Sequence, residues 1–169
     1  MDERFEVCGG TAEIGDVDAF IRTMRGIAAA NGTRIVCLNA DMVAGVAHVE
    51  SAVRHAIRAQ ESGVMISSAL EMEVLLYAAA TRQCSVAIEF GVHSGKNRMY
   101  ICFIPPSKNA ISMMNAYVQF NEGWEEMDDE GGERLARLFS ITPAELEVVG
   151  AERFTELVLE RVALLDINK

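Results

Sequence analysis

Two consecutive helices in the middle of the chain constrain the fold more than any other feature. The first is predicted from Met42 to Glu61, directly after a short buried strand over Thr33–Leu38. The second is predicted from Ser67 or Ser68, as the N-cap, to about Thr81 and is apolar nearly all round. A helix of this kind is covered by other structure on both sides. The region therefore predicts a packed α/β module, and it contains no pattern typical of a reaction centre.

The second helix has two apolar faces, and they need not have the same cover. Leu70, Val74, Tyr77 and Ala78 form one face, while the other is formed by Met72, Leu75, Leu76 and Ala79. In a chain of 169 residues the second face is covered either by the terminal helix or by another protein. The terminal helix, predicted over Ala151–Ile167, itself has surplus apolar surface that includes Leu159. Two such faces together would form a binding patch.

The first helix has a basic stripe opposite its apolar side. At 100° per residue this stripe contains His48, Ser51, Arg54, His55 and Arg58. The net charge of the chain is −10, which argues against non-specific binding of nucleic acid through many phosphate contacts. A local stripe remains compatible with an anionic partner such as RNA phosphate, and the alternative is an ordinary solvated face.

The remaining segments predict a single domain over residues 1–169. A strand is expected from Phe5 to Gly10, a second over Arg98–Ile104, a helix after an Asp16 N-cap, and another over Ser107–Phe120. Thr142 to Glu145 has the pattern of a capping box. The predicted fold class is mixed α/β: a small mixed sheet of about three to five strands, packed with several helices that include a long C-terminal one. The acidic segment 124–132 predicts a solvated loop.

Several forms of chemistry have no support in the residue pattern. His93–Asn97 resembles a phosphate loop only faintly, because Phe90 stands where a glycine is needed and Asn97 where Ser or Thr is needed. His48 and His55 lack a third metal ligand nearby and are predicted as surface residues. We expect no catalytic residue, no metal and no cofactor. The four cysteines predict buried, reduced thiols: Cys8, Cys37, Cys84 and Cys102.

The ends of the chain bear on localisation. Met1–Arg4 has acidic residues and no apolar run, so we expect no secretory signal. No segment has the length of apolar sequence needed to span a bilayer. The expected localisation is cytoplasmic, without a membrane partner.

A set of short motifs resembles a known family. These are Leu38-Asn39-Ala40-Asp41, a helix containing His48, Glu73 within an apolar helix, Arg82-Gln83 followed by Ala87, and a terminal Glu160-Arg161-Val162-Ala163-Leu164-Leu165. In their order and spacing they resemble the kinase-binding regulatory subunit of the KEOPS complex, the PRPK-binding protein family, in an archaeal-type form. The resemblance covers most of the chain and is best between about residues 36 and 87 and near the C-terminus.

The resemblance implies a non-enzymatic subunit with a mixed α/β fold. Such a subunit docks on the small lobe of an atypical kinase/ATPase, in a complex that completes threonylcarbamoyl-adenosine at position 37 of tRNA. It also implies contact with the single-stranded 3′ CCA end of tRNA. The expected partners are therefore the kinase/ATPase subunit, the tRNA 3′ end and, indirectly, the threonylcarbamoyl-transferase subunit.

Site residues follow from the resemblance and from the helix faces. Arg82 and Gln83 are the first candidates for RNA, because a guanidinium binds phosphate or stacks on a base and an amide reads a base edge. Arg54 and Arg58 are second, from the basic stripe. For the kinase the candidates are Met72, Leu75, Leu76 and, on the terminal helix, Leu159.

Two alternative functions remain open. A small-molecule enzyme would have its pocket near Asn39, Asp41 and His48, although no nucleophile–base pair or metal set accompanies them. A homo-oligomeric scaffold would use the apolar helix faces for contact with a second copy of the chain.

Overall fold

The computed structural model describes residues 2–121, 129–150 and 153–168, and a small β-sheet organises them. Its strands in chain order are β1 (Glu6–Ile14), β2 (Arg34–Asn39), β3 (Gly95–Ile104) and β4 (Gln119–Asn121). In space the order is β2-β3-β1-β4. The pairings of β1 with β3, β1 with β4 and β2 with β3 are all antiparallel. The mixed α/β fold is confirmed, with an antiparallel sheet where a mixed one was expected.

Eight α-helices and two 3₁₀ turns occur in the described ranges. The helices are α1 (Val17–Ala30), α2 (Val46–Glu61), α3 (Leu70–Ala79), α4 (Cys84–Ala87), α5 (Lys108–Met114), α6 (Asp129–Leu138), α7 (Pro143–Val149) and α8 (Phe154–Asn168). The 3₁₀ turns are Ala40–Met42 and Ile88–Phe90. In the part of the chain that the structure describes, no helix has the length and apolar character needed to cross a membrane.

Helices cover both faces of the sheet. Because side chains alternate along a strand, Met99, Ile101 and Phe103 of β3 point to one face and its Tyr100 and Cys102 to the other. Helices α1 and α5 pack on the first face. Helices α2, α3, α6 and α8 contribute to the core on the second. The sheet is therefore the middle layer of three.

Two local predictions about helix N-termini are confirmed. The Asp16 carboxylate accepts a hydrogen bond from the Ala19 N–H at 3.0 Å and so caps α1. Gly32 has φ +61°, the left-handed conformation that commonly follows the C-terminus of a helix such as α1. Thr142 and Glu145 form the predicted capping box of α7.

The predicted N-cap of α3 is wrong. Ala69 occupies that position and makes no side-chain cap bond. Instead the buried carboxylate of Glu73 accepts hydrogen bonds from the backbone N–H groups of Ile66 and Ser67, both at 2.9 Å, and from the Ser67 hydroxyl. The Glu73 carboxylate thus anchors the loop that precedes α3, but it does not cap the helix, because Ile66 and Ser67 lie before its first turn.

The helix predicted over Ser107–Phe120 is also wrong in its second half. Helix α5 ends at Met114, and Gln119–Asn121 forms β4 against β1. The close approach depends on Gly10, since a Cβ there would lie 2.7 Å from Cγ1 of Val118. Pairing with a distant strand outweighed local helix propensity.

Other helix and strand boundaries also differ from the predicted ones. Helix α2 begins at Val46, not Met42, because Ala40–Met42 forms a separate 3₁₀ turn. Strand β3 begins at Gly95, three residues before the predicted start at Arg98. Of the acidic loop predicted over residues 124–132, residues 124–128 lie outside the described residues and residues 129–132 begin α6.

Candidate functional site

A groove at the C-terminal ends of α3 and α6 contains both leading RNA candidates. It has a volume of about 500 Å³ and is lined by Arg82 and Gln83 together with Arg161 of α8. Apolar side chains of Leu138 and Leu164, which are 44% and 36% exposed, form part of its wall. Cationic, amide and apolar groups thus face one small concave surface, which we call the cationic groove.

Two non-glycine residues with left-handed backbone form turns of this groove. Ala80 has φ +52° and Ser140 has φ +54°. At each of these helix ends a backbone hydrogen bond reaches back five residues along the chain. Thr81 N–H donates to Leu76 O at 3.0 Å, and Ile141 N–H donates to the C=O of residue 136 at 2.8 Å. A left-handed residue with a Cβ costs about 1–2 kcal/mol, and strain of this kind clusters at functional sites.

Arg161 is held rigidly at the side of the groove. Its guanidinium donates to both carboxylate oxygens of Glu145 at 2.9 Å and to the backbone oxygen of Phe139 at 3.2 Å. The hydrogen bonds from Arg161 lower the pKa of Glu145. The sequence prediction contained Arg161 only within the terminal family motif and assigned it no role. The available signal was a cation within a helix that is otherwise mostly apolar and acidic.

Arg82 and Gln83 lie on the short turn that joins α3 to α4. The Thr81 hydroxyl accepts a hydrogen bond from the Gln83 N–H at 3.1 Å, which shapes this turn. Both side chains are exposed to solvent. The turn therefore presents a guanidinium and an amide next to each other at the mouth of the cationic groove.

The structure does not bring Arg54 and Arg58 into this groove. Arg54 lies 3.5 Å from the Asp2 carboxylate and 3.7 Å from that of Glu50, with its guanidinium 5.6 Å from the centre of the Phe5 ring. Arg58 is exposed on the same helix. Neither is among the described residues that line the cationic groove.

The predicted basic stripe is interrupted because His48 is buried, contrary to the expected surface position. Its Nδ1 accepts from the Ala44 N–H at 2.9 Å and its Nε2 lies 2.8 Å from Ala78 O, so Nε2 is the protonated nitrogen. Burial lowers the pKa of His48 to about 4. A neutral imidazole therefore links α2 to the end of α3 and is a structural group.

The pocket suggested for an enzyme is not assembled. The Asn39 side chain accepts from the Asp41 N–H at 2.9 Å, and Asp41 pairs with Arg98 at 3.1 Å. Asp41 lines a groove with Arg98 and Tyr117, and this groove includes neither Asn39 nor His48. Within the described ranges, no group of three or more His, Cys, Asp or Glu side chains is arranged to hold a metal ion.

His55 also differs from its predicted surface role. Its Nδ1 lies 2.6 Å from Oδ2 of Asp166 on α8, and its ring stacks on Tyr77 with 5.3 Å between ring centres. The Tyr77 hydroxyl donates to the other oxygen of the same carboxylate. Burial and the adjacent Asp166 raise the pKa of Tyr77. These three side chains join α2, α3 and α8.

Of the apolar residues predicted to contact the kinase, some are accessible at the surface and one is buried in the core. Met72 and Leu75 are half-buried and line a second groove of about 720 Å³, which we call the apolar groove. Leu76 is 0% exposed, so its prediction as an interface residue is corrected: it points into the core. Leu159 is half-buried on α8 and lines neither groove.

The cysteines are less uniformly buried than predicted. Cys37 and Cys102 are buried, and burial raises the pKa of Cys37 to about 12. Cys8 is half-buried, and Cys84 is exposed beside the apolar groove. The prediction holds for the two in the sheet core and is wrong for Cys84.

The described part of the chain is a layered α/β module whose surface grooves include the cationic groove and the apolar groove. The family model described as kinase binding protein CGI-121 matches residues 17–166, and the chain belongs to this family. The family predicted from the short motifs is thereby confirmed. Among curated proteins, none matches the chain.

Proposed function

We propose that the protein is a non-catalytic, cytoplasmic subunit of the KEOPS complex that binds the kinase/ATPase subunit and recruits tRNA through its 3′ CCA end. Membership of the kinase-binding family supports the first half of the proposal. The observation that carries the second is the cationic groove, where Arg82, Gln83 and Arg161 surround a concave surface.

The kinase contact is proposed at the apolar surface of α3 and α8. Met72 and Leu75 are accessible along the apolar groove, and Leu159, half-buried on α8, is a further candidate. Partly exposed apolar side chains at a groove lose contact with water when a partner covers them, which favours association. Leu76 is excluded because no partner can reach it without opening the core.

The tRNA contact is proposed at the cationic groove. The Arg82 guanidinium contacts a phosphate or stacks on a base of the single-stranded 3′ end, while the Gln83 amide contacts a base edge. Leu138 and Leu164 supply apolar surface for an unstacked base. Because the groove is small and the chain is acidic, few phosphates are neutralised, and binding should depend only modestly on salt.

Affinity capture with mass spectrometry tests both halves at once. We expect the wild-type chain to capture an atypical kinase, its neighbouring transferase subunit and tRNA. Met72→Glu should lose the kinase and keep tRNA, whereas Arg82→Glu should retain the kinase with less tRNA. Capture of only a second copy of the chain would contradict the proposal and favour the scaffold.

A further inference from the structure

The apolar groove lies along an open edge of the sheet. Strand β2 is at the end of the strand order, and its neighbour β3 occupies only one of its sides. Helix α1 packs on one face of the sheet and α3 on the other, and both border this edge. The floor of the groove is β2 at Ile35–Cys37, and its two walls are α1 and α3.

The backbone at this floor is buried but not fully paired. Ile35, Val36 and Cys37 are only 6%, 3% and 5% exposed. In an antiparallel pair, alternate residues direct N–H and C=O away from the neighbouring strand. Across the described residues, no backbone hydrogen bond reaches this outer side of Ile35–Cys37. Buried backbone groups without a partner are costly, so this edge is suited to accept a further strand.

We propose that the apolar groove binds an extended peptide segment of a partner protein as a fifth strand on β2. Backbone hydrogen bonds to the open edge would hold the segment, at the ordinary strand spacing of about 4.8 Å. Its side chains would alternate between the wall at Ile21 and Met24 of α1 and the wall at Met72 and Leu75 of α3. Since both walls are apolar, the segment has consecutive apolar residues.

The charges at the rim define the flanks of the bound segment. Among the described residues that line the groove, Asp18, Glu71 and Glu89 are acidic and Arg25 is the one cation. Glu71 is 3.1 Å from the Arg34 guanidinium, while Asp18 and Glu89 are both exposed. The rim is therefore net acidic, and a segment with Lys or Arg on either side of its apolar centre is complementary to it.

The 3₁₀ turn after α4 limits the length of the segment. A Cβ on Gly91 would lie 3.3 Å from Ile88 O and 3.9 Å from Cys37 O, so the backbone there already lies beside β2 at Cys37, and the segment can extend no further along this strand. About three consecutive residues of the segment therefore face Ile35–Cys37. This inference deepens the proposed kinase contact and rests on it only for the identity of the protein that carries the strand.

The test uses the full chain and a synthetic probe, the blocked peptide Lys-Lys-Val-Leu-Val-Lys-Lys. Two further peptides carry N-methyl groups, one on both valines and the other on the leucine. Alternate N–H groups face β2, so we expect one methylated peptide to bind at least tenfold more weakly and the other to stay within about threefold of the parent. Equal effects of the two methylations, or no binding of the parent peptide, would overturn strand addition.

Variants locate the site. Ile21→Arg and Leu75→Arg, on opposite walls, should each reduce peptide binding at least tenfold, whereas Val64→Arg, on a 53% exposed residue outside the groove, should not. Thermal unfolding confirms that each variant is folded. Replacing the lysines of the peptide with glutamates should weaken binding, and equal binding would refute the assigned role of the acidic rim.

Kinase capture with Ile21→Arg separates this inference from the proposed function. Loss of both peptide and kinase supports strand addition by the kinase. Loss of the peptide with full kinase capture supports strand addition but removes the proposed kinase contact at Met72 and Leu75. Sedimentation that shows a dimer disrupted by Ile21→Arg would assign the edge to a second copy and overturn the inference.

Discussion

Oδ2 of Asp166, near the end of α8, lies 2.6 Å from Nδ1 of His55 on α2. The same carboxylate accepts a hydrogen bond from Tyr77 of α3. Asp166 therefore links the terminal helix to the two helices that define the middle of the chain. Because α8 also carries Arg161, the position of this helix determines one side of the cationic groove.

Asp166→Ala should destabilise the protein by about 1–3 kcal/mol, since two largely buried polar groups lose their acceptor. Urea unfolding measures the change. Glu156→Ala is the matched control on α8: its ion pair with Arg153 is exposed on both sides, and its loss should cost less than about 0.5 kcal/mol. Equal effects of the two variants would show that the Asp166 contacts do not stabilise the docked helix.

The free energy of unfolding should decrease as the pH is lowered below 6.5, the ordinary pKa of histidine, because His48 is buried in its neutral form. Its pKa is about 4 in the folded state against an ordinary value of 6.5, so the unfolded chain binds the proton more readily between these values. Stability is therefore fully present above pH 6.5 and decreases as pH falls toward 4, by up to about 3 kcal/mol from this group.

The measurement is urea unfolding at several pH values for wild type and His48→Gln. The variant should show a smaller slope of stability against pH across the interval from 4 to 6.5. An identical slope in both proteins would assign the acid sensitivity to other groups.

Leu76→Glu should prevent folding, whereas Met72→Glu should affect only kinase binding. Leu76 is fully buried, so an unpaired carboxylate there should cost several kcal/mol and unfold the protein. Met72 is half-buried at the apolar groove, and its variant should remain folded while losing kinase binding. Calorimetry and a pull-down on the same samples check both outcomes; a folded Leu76→Glu would place that residue at the surface after all.

Arg82→Glu should weaken tRNA binding more than Arg82→Gln, because charge reversal adds a repulsion to the lost attraction. Removing the CCA end should weaken binding comparably. The two perturbations should be non-additive, since they act on one contact.

Binding isotherms for the four combinations of wild type or Arg82→Glu with intact or trimmed tRNA measure this coupling. Arg22→Glu, on an exposed residue of α1, is the charge-matched control and should have little effect. Fully additive losses would place Arg82 away from the CCA end, and unchanged binding of trimmed tRNA would refute recognition of the tail.

Predictions based on neighbouring residues were accurate where those neighbours alone determine the conformation. Asp16 and Thr142 cap their helices as expected, because the bonds they make span only three residues. The helix predicted through Phe120 was wrong, because strand pairing between β4 and β1 depends on Gly10, more than a hundred positions away. His48 was wrongly predicted as a surface residue for the same reason, since its ring contacts Ala78 O at the end of another helix.

The candidate sites likewise combine residues that could be recognised in the sequence with residues whose position depends on tertiary packing. The motif Arg82-Gln83 was recognisable in the sequence, and the structure places it on an exposed turn at a groove. Arg161 joins it only because α8 packs beside the ends of α3 and α6. Leu75 and Leu76 are adjacent in sequence, and a rotation of 100° about the helix places one at the surface and the other in the core.

The sequence by itself determined the fold class, the main helices and the family, because periodicity, caps and short motifs are encoded within a few residues. Only the tertiary structure decided which apolar faces are core, which polar groups are buried, and which cations share a groove. The open edge of β2 was likewise decided at that level. These properties depend on the packing of distant segments, and burial and strand pairing contribute free energies large enough to override the preferences of any single segment.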